Sequence, residues 1–358
     1  MSIRLDSIVQ YAASQRVSDI HLVKGLPPKG RIDGQLENLM DAPLTAEDCE
    51  QIAKELAGDE LYPAIRRSGE LDMAKTISGE RVRINLFRQQ GYISVVLRIL
   101  SNKIPKIGDL GLPAAVSQFP TYNKGIVLVT GETGSGKSTT LAAILDQINH
   151  TRKEHIITLE DPIEYIYTPD KCTINQREIG KDTDSFADAL RAVLREDPDI
   201  ILIGELRDLV TIETALTAAE TGHLVFATLH TNSAVDSVNR IVGVFPEARQ
   251  AQVRAQLSST LKAILAQQLL VRAGGKGRAA ACELMIVTNA IRAQIREAKD
   301  AQMQSSLLSS AREGSITMDN CLLEMVAKGI IAPDTAFDNC VDKEYMQRKM
   351  GFGGGRMR

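Results

Sequence analysis

Apolar positions in the first hundred residues follow two different spacings. In residues 3–15 they recur every three or four positions, which predicts an amphipathic helix, and Thr45 is a suitable N-cap for a second helix that runs to Leu56. Short β-branched and aliphatic runs predict strands over residues 18–23, 29–32, 70–77, 81–89 and 92–100. Helices followed by consecutive antiparallel strands indicate a compact α+β domain over residues 1–100.

The pattern changes after residues 101–113, a segment rich in proline and glycine that we interpret as a linker. Beyond it, uninterrupted apolar runs alternate with helical patterns, which is typical of a parallel sheet whose strands are buried on both faces. The last third is mostly helical by pattern, with helices predicted over residues 248–270, 289–298, 301–311 and 318–328. We expect an α/β second domain over residues 114–345 and a disordered, glycine-rich, basic tail over residues 346–358.

The composition is that of a globular protein, with 44% hydrophobic and 24% charged residues in a chain of 358. No apolar run reaches the ~18–20 residues that cross a bilayer, and no signal-peptide core is present, so we expect a cytoplasmic protein. The five cysteines form no Cys-x-x-Cys pair, which disfavours a zinc ribbon and a disulfide framework. The net charge of −3 argues against nucleic acid as the main partner.

Residues 125–140, which read GIVLVTGETGSGKSTT, hold the most specific motif in the chain. A short apolar strand leads into a glycine-rich loop, and a helical pattern follows from Ser138, as a P-loop requires. Such a loop directs backbone N–H groups at phosphate oxygens, and the helix N-terminus favours the same anion. We therefore expect the phosphates of a nucleotide, with Mg²⁺, to bind here, through Thr133, Gly134, Ser135, Gly136, Lys137, Ser138 and Thr139.

Carboxylates follow two further apolar runs. The run that ends in Gly204 is followed by Glu205, whose carboxylate is suited to hold a water on an Mg²⁺ ion bound by the Ser138 hydroxyl. The other run ends in Glu160, Asp161 and, a little later, Glu164. Each of these three acids is either a base that activates water for hydrolysis or part of a solvated acidic turn.

Two histidines flank the apolar run of residues 224–229. His230 follows it, where a sensor of the γ-phosphate is expected. His223 precedes it, and its pattern is equally compatible with a hydrogen-bonded structural residue.

Four stretches resemble, in this order, the Walker A, Asp-box, Walker B and His-box of the secretion ATPases that drive type II secretion and type IV pili; they read GETGSGKS, TLEDPIEY, LREDPDIILIGELRD and AETGHLVFATLHTN. The motifs SDIHL, GLPP and RIDG are similar to the N-terminal domain of the pilus retraction ATPases in this family. The resemblance covers nearly the whole chain. It implies a PAS-like N-terminal domain followed by a RecA-like P-loop ATPase domain.

The resemblance also implies roles for individual residues. Lys137 and Ser138 would bind phosphate and Mg²⁺, Glu205 would be the Walker B acid and Glu164 the hydrolytic base. His230 and His223 would form the His-box pair. Arginines of the N-terminal domain reach a nucleotide across a subunit boundary in this family, and the matching strands carry Arg81, Arg83 and Arg98.

The function that the resemblance implies is a homohexameric, Mg²⁺-dependent ATPase that powers type IV pilus retraction. Its partner would be an inner-membrane platform protein, with pilin contacted only indirectly, at the inner face of the cytoplasmic membrane. Residues 290–297, AIRAQIRE, are similar to a C-terminal helix of retraction ATPases, although Ala293 and Gln294 depart from it. The alternatives are an accessory retraction ATPase, a secretion or pilus assembly ATPase, a nucleotide-gated binding module without required hydrolysis, and a hexameric DNA translocase.

Overall fold

The computed structural model describes residues 5–15, 17–32, 35–100 and 103–351. The chain divides into two compact units. The first comprises the residues up to Ile104 together with the short segment Pro162–Ile166, and the second comprises Pro105–Asp161 and the residues from Tyr167 onward. Among the described residues, no helix combines the length and the apolar character needed to span a bilayer.

The first unit is an antiparallel sheet covered on one face by two helices. Its strands lie in the order β3-β2-β1-β6-β5-β4. Alternate residues of the strands, such as Ile20, Ile84 and Leu97, are fully buried and pack with the apolar stripes of the helices. The elements are α1 (Leu5–Ser14), β1 (Asp19–Leu22), β2 (Lys29–Ile32), β3 (Gln35–Asn38), α2 (Ala46–Ser68), β4 (Glu70–Ile77), β5 (Glu80–Gln89) and β6 (Tyr92–Leu100).

Helix α2 begins where the sequence predicts and extends further. Thr45 and Asp48 form a capping box, in which each side chain accepts a hydrogen bond from the backbone N–H of the other residue. Gly58, with φ +66°, interrupts the helical backbone two residues after the predicted end at Leu56. The helix then continues to Ser68, so the glycine marks a kink rather than a terminus.

The second unit is a seven-stranded sheet with helices around it, in the order β13-β12-β7-β11-β10-β8-β9. All neighbouring strands are parallel except β12 and β13, which form an antiparallel hairpin at one edge. The strands are β7 (Gly125–Thr130), β8 (His155–Glu160), β9 (Thr173–Glu178), β10 (Ile200–Ile203), β11 (Leu224–Leu229), β12 (Leu261–Val271) and β13 (Arg278–Ile286). Every residue of β7, β10 and β11 is buried, as the apolar runs indicate.

Ten helices accompany this sheet among the described residues. Six of them have an N-cap side chain that accepts a backbone N–H of the first turn, namely Ser185, Asp208, Ser233, Thr288, Thr317 and Asp342. The helices are α3 (Lys137–Thr151), α4 (Phe186–Val193), α5 (Leu209–Glu220), α6 (Ala234–Gly243), α7 (Glu247–Thr260), α8 (Asn289–Arg296), α9 (Asp300–Ser309), α10 (Met318–Ala327), α11 (Pro333–Asp338) and α12 (Lys343–Met350).

The predicted helix over residues 248–270 is wrong in its second half. Helix α7 ends at Thr260, and the chain continues directly as strand β12. Leu261, Ile264 and Leu265 are fully buried, but they pack as part of a strand between β7 and β13. An apolar run buried on both faces has no periodicity that separates a strand from a buried helix.

Parts of the predicted linker and tail lie outside the described residues, namely 101–102 and 352–358. Within the rest of the linker, Ile107–Leu110 forms a short 3₁₀ helix. The predicted disorder from residue 346 onward is wrong for residues 346–350, because they belong to α12 and Met346 is fully buried.

Candidate nucleotide-binding site

The glycine-rich loop connects the carboxyl end of β7 to the first turn of α3, as the motif requires. Gly136 is the N-cap of α3 and has a left-handed backbone, φ +94°. The ammonium group of Lys137 lies back over the loop and donates to the carbonyls of Gly131 (2.7 Å) and Glu132 (2.9 Å). The hydroxyl of Ser135 is buried and has no hydrogen-bond partner in the described chain. A phosphate group could therefore accept hydrogen bonds from the Lys137 ammonium and the Ser135 hydroxyl, beside a helix N-terminus that favours an anion.

A residue that the sequence analysis missed, Gln267 of β12, contacts this loop. Its side chain is 5% exposed. The amide oxygen accepts from the Thr140 hydroxyl at 2.9 Å, and the amide nitrogen donates to the Ser135 carbonyl at 2.8 Å. A single polar pair, Gln267 and Gln268, inside an otherwise apolar run was the available signal, but the run was assigned to a helix.

The carboxyl ends of β7, β11 and β10 lie side by side, and each carries one predicted site residue or motif. Glu205 follows β10 and His230 follows β11. The two are in contact, with Nε2 of His230 3.1 Å from Oε1 of Glu205. Arg207 donates to the other carboxylate oxygen at 2.8 Å.

The environment of Glu205 keeps it ionised. Burial acts to raise the pKa of the Glu205 carboxyl, whereas the hydrogen bond from Arg207 and the charge of the adjacent His230 lower it. The net result is a pKa below the ordinary value of 4.5. Glu205 is therefore a carboxylate at neutral pH.

The loop after β11 also contacts the P-loop. The amide of Asn232 donates to the Glu132 carboxylate at 3.3 Å, and Ser233 then caps α6. The backbone N–H of Ala234, in the first turn of α6, donates at 2.8 Å to Glu283, a buried carboxylate on β13. The segment from His230 to Ala234 is thus held at both ends by acidic side chains.

The three acidic residues at the end of β8 and just after it lie in different surroundings. Glu160 accepts hydrogen bonds from Thr158 (2.6 Å) and Gln176 (3.2 Å), which is the arrangement of a structural carboxylate. Asp161 is exposed, and Glu164 is half-buried in the segment Pro162–Ile166 that belongs to the first unit.

His223 does not join the site in the same chain. It precedes β11, whereas His230 follows that strand, and six strand residues span about 20 Å. Its Nδ1 lies 2.9 Å from the Ala218 carbonyl and 3.2 Å from the Thr221 hydroxyl, at the end of α5. These contacts are those of a hydrogen-bonded structural histidine, and the role of His223 in the His-box pair stays a prediction.

The three predicted arginines share one face of the first unit's sheet but differ in exposure. Arg98 pairs with Asp19 (2.8 Å) and Arg83 with Asp72 (2.5 Å), around a shallow cavity of about 250 Å³. Arg98 is 60% exposed.

Arg81 is placed differently from the other two arginines. It is only 8% exposed, and its Nε and Nη2 donate at 3.1 and 2.8 Å to the carbonyl of Ile163, the residue before Glu164. The expectation that it reaches out to a nucleotide does not match this burial; its guanidinium anchors the segment that carries Glu164.

A cavity of about 480 Å³ lies beside the P-loop within the second unit. Its walls are Glu132–Ser135 of the loop, Gln268–Leu270 of β12 and the connection 338–341 between α11 and α12. This volume lies in the range of small-molecule sites. Among residues 5–15, 17–32, 35–100 and 103–351, no group of three or more His, Cys, Asp and Glu side chains is arranged to hold a metal ion.

The parallel sheet, the P-loop at its carboxyl edge and the adjacent acid define a P-loop nucleotide-binding protein. The chain belongs to the type II/IV secretion system protein family, whose profile matches residues 2–337.

Two named relatives and one solved structure are similar over nearly all of the chain. The type IV pilus retraction ATPase PilT of Pseudomonas aeruginosa is 45% identical over 333 residues, which is 93% of this chain and 96% of that protein. The type IV pilus ATPase PilU of the same organism is 36% identical over 89% of this chain and 84% of its own. The crystal structure of the pilus retraction motor PilT with bound ADP superposes with a TM-score of 0.90 at 46% identity, covering 97% of this chain and 99% of that one. The similarity to PilU is the lower of the two, so a PilU-like function is the weaker alternative.

Proposed function

We propose that this chain is an ATP-hydrolysing motor that powers retraction of type IV pili and thereby twitching motility. The observation that carries the proposal is the contact between Glu205 and His230, which follow the two successive strands on one side of the P-loop strand, in a chain that is similar to a retraction ATPase over 93% of its length. The chain is an ATPase, and its nucleotide is ATP. The nucleoside part of ATP has room in the cavity beside the loop.

The donor set present at the site fits Mg²⁺. This ion is commonly held by one or two protein oxygens together with substrate phosphates and waters. The Ser138 hydroxyl at the start of α3 and the ionised Glu205 carboxylate are oxygen donors of that kind. When bound, the ion would neutralise charge on the β- and γ-phosphates.

The protein groups have separable tasks in this proposal. Lys137 leaves its two carbonyl partners to bind phosphate, and His230 senses whether a γ-phosphate is present. Glu164 acts as the base that orients and deprotonates water, on a segment fixed by Arg81. Arg83 and Arg98 contact the nucleotide of a neighbouring subunit, where a planar guanidinium is suited to an oxygen-rich phosphate.

The working unit would be a homohexamer at the inner face of the cytoplasmic membrane. Its partner would be an inner-membrane platform protein, and pilin would be moved indirectly. Helix α8, which carries most of the AIRAQIRE motif, has Ile291 and Ile295 fully buried. Arg292 donates to the Ser258 and Ser259 carbonyls at the end of α7 (2.7 and 3.1 Å), so α8 is fixed to the ATPase core.

Phosphate release by purified protein with Mg²⁺ and ATP tests this proposal, with the mass measured by light scattering on the same samples. We expect a hexamer that hydrolyses ATP, Lys137→Ala that neither binds nor hydrolyses, and Glu164→Gln that binds ADP without turnover. Glu324→Gln is the matched control, because Glu324 is 59% exposed and pairs with Lys328 in α10.

Retraction in cells is the second readout. A pilated host that lacks its retraction ATPase should regain twitching with the wild-type chain and with Glu324→Gln, and not with Glu164→Gln. A monomer that binds ATP but releases phosphate no faster than Glu164→Gln would refute the motor and leave a binding module.

A further inference from the structure

The shape of the P-loop depends on a side chain that is distant in sequence. Gln267 follows Ala266, which lies opposite Thr130 in the β12–β7 register, so its position is level with the first glycine of the loop. The backbone carbonyl oxygen of Gln267 lies 2.2 Å from the position that a Cβ on Gly131 would occupy. The side-chain amide nitrogen of Gln267 lies 2.7 Å from the position that a Cβ on Gly136 would occupy. The backbone of Gln267 therefore requires glycine at position 131, and a Cβ at position 136 would displace the Gln267 amide.

The two hydrogen bonds of the Gln267 amide determine its orientation. The Ser135 carbonyl is an acceptor only, so it selects the amide nitrogen, and the amide oxygen then faces the Thr140 hydroxyl. Among side chains of this length, only an amide offers a donor and an acceptor on one planar group. Glutamate would place a carboxylate against a carbonyl, and methionine would leave both partners unsatisfied in a buried position.

The bond to Ser135 acts on the phosphate-binding groups through the peptide plane. In a trans peptide the carbonyl of one residue and the N–H of the next point in opposite directions. Holding the Ser135 carbonyl toward β12 therefore turns the N–H of Gly136 away from β12. Thr140 lies in the first turn of α3, which begins at Lys137, so the second bond joins β12 to the helix that carries the lysine.

We propose that Gln267 is a positioning residue of the P-loop: from β12, its amide holds the Ser135 carbonyl and the Thr140 hydroxyl so that the loop has its phosphate-binding shape before nucleotide arrives. This inference rests on the proposed function only for its turnover readout. Pre-organisation of this kind improves affinity because the loop loses less conformational entropy when the nucleotide binds.

The test compares Gln267→Met with Gln250→Met. Gln250, on α7, is half-buried and likewise donates to a backbone carbonyl, that of Phe245 at 3.1 Å, but it lies outside the site. We expect Gln267→Met to raise the Kd for ADP and the KM for ATP about tenfold, a change of ~1.4 kcal/mol. The unfolding temperature without nucleotide should fall further than it does in Gln250→Met, because the Ser135 carbonyl and the Thr140 hydroxyl lose their buried partner. Gln250→Met should bind ADP as the wild type does.

Thr140→Val provides a second variant that keeps the bond to Ser135. It should raise the Kd for ADP less than Gln267→Met does, and the double variant should bind no worse than Gln267→Met alone, because Thr140 acts through Gln267. Wild-type ADP affinity in Gln267→Met, additive losses in the double variant, or an equal loss in Gln250→Met would each overturn the inference. If Gln267→Met does not fold, Thr140→Val with wild-type ADP affinity would overturn it.

Failure of this inference is distinguishable from failure of the proposed function. A wild-type chain that releases no phosphate would refute the motor, whereas the comparison of ADP affinities still decides the role of Gln267.

Discussion

The glycines of the P-loop look alike in the sequence, but the structure predicts that alanine substitutions at two of them differ in cost. A Cβ on Gly131, where φ is +137°, would lie 2.2 Å from the backbone carbonyl of Gln267. A Cβ on Gly134, where φ is +81°, would meet no atom within 4 Å. Gly131→Ala should therefore destabilise the protein far more than Gly134→Ala.

The magnitudes follow from strain and overlap. A non-glycine residue in a left-handed backbone costs about 1–2 kcal/mol, which is the whole cost expected for Gly134→Ala. Gly131 lies in a rarer region, at about 1–3 kcal/mol, and the overlap with β12 adds about 1–3 kcal/mol of overpacking. The free energy of unfolding should fall by about 2–6 kcal/mol in Gly131→Ala.

The assay is thermal and chemical unfolding without nucleotide, followed by far-ultraviolet circular dichroism because the chain has no tryptophan. Each 1 kcal/mol lowers Tm by about 2–4 °C in a domain of roughly this size. Hydrogen exchange should locate the extra loss of protection in Gly131→Ala to β12. If Gly134→Ala unfolds at the same temperature as Gly131→Ala, the contact with β12 is not what requires glycine.

Three further predictions concern charged side chains. The pKa of Glu205 is lowered, so the stability of the wild type over Glu205→Gln should be present above pH 4.5 and disappear as the pH falls below it. The pKa of the buried Glu283 is raised, chiefly by burial, so the wild type should lose stability relative to Glu283→Gln as the pH rises above 4.5. Denaturation at several pH values measures both stability differences. If the two differences changed in the same direction as the pH rises, the reasoning would be contradicted. Arg254 binds both oxygens of Asp300 (2.9 and 3.1 Å) and is 12% exposed, so Arg254→Met should cost about 1.5–3 kcal/mol. Arg249→Met, at an exposed ion pair, should change unfolding little, and equal losses in the two variants would refute the contrast.

Several features of this protein could be predicted because their signals are local. The P-loop, the buried strands on either side of it and the capped helix starts each depend on residues within one short window. Glu205 and His230 were predicted as site residues because each follows an apolar strand. Their contact follows from a general property of parallel sheets, whose carboxyl ends meet at one edge.

The errors arose where distant segments decide the outcome. Strand β12 is a strand because β7 and β13 pair with it on either side, and its own residues also suit a buried helix. The resemblance implied that Arg81 reaches a nucleotide across a subunit boundary, but Ile163, 82 residues later, supplies the carbonyl that holds it inside the first unit.

The sequence by itself determined that this protein has a P-loop, which acids follow its strands, that His223 and His230 flank one of them, and which family it resembles. Only the tertiary structure decided how these groups are held. It placed Gln267 against the loop, Arg207 on Glu205, and His223 at the far end of β11. The physical reason is that loop shape, burial and pKa depend on neighbours in space, whereas strands, turns and caps depend mainly on neighbours in the chain.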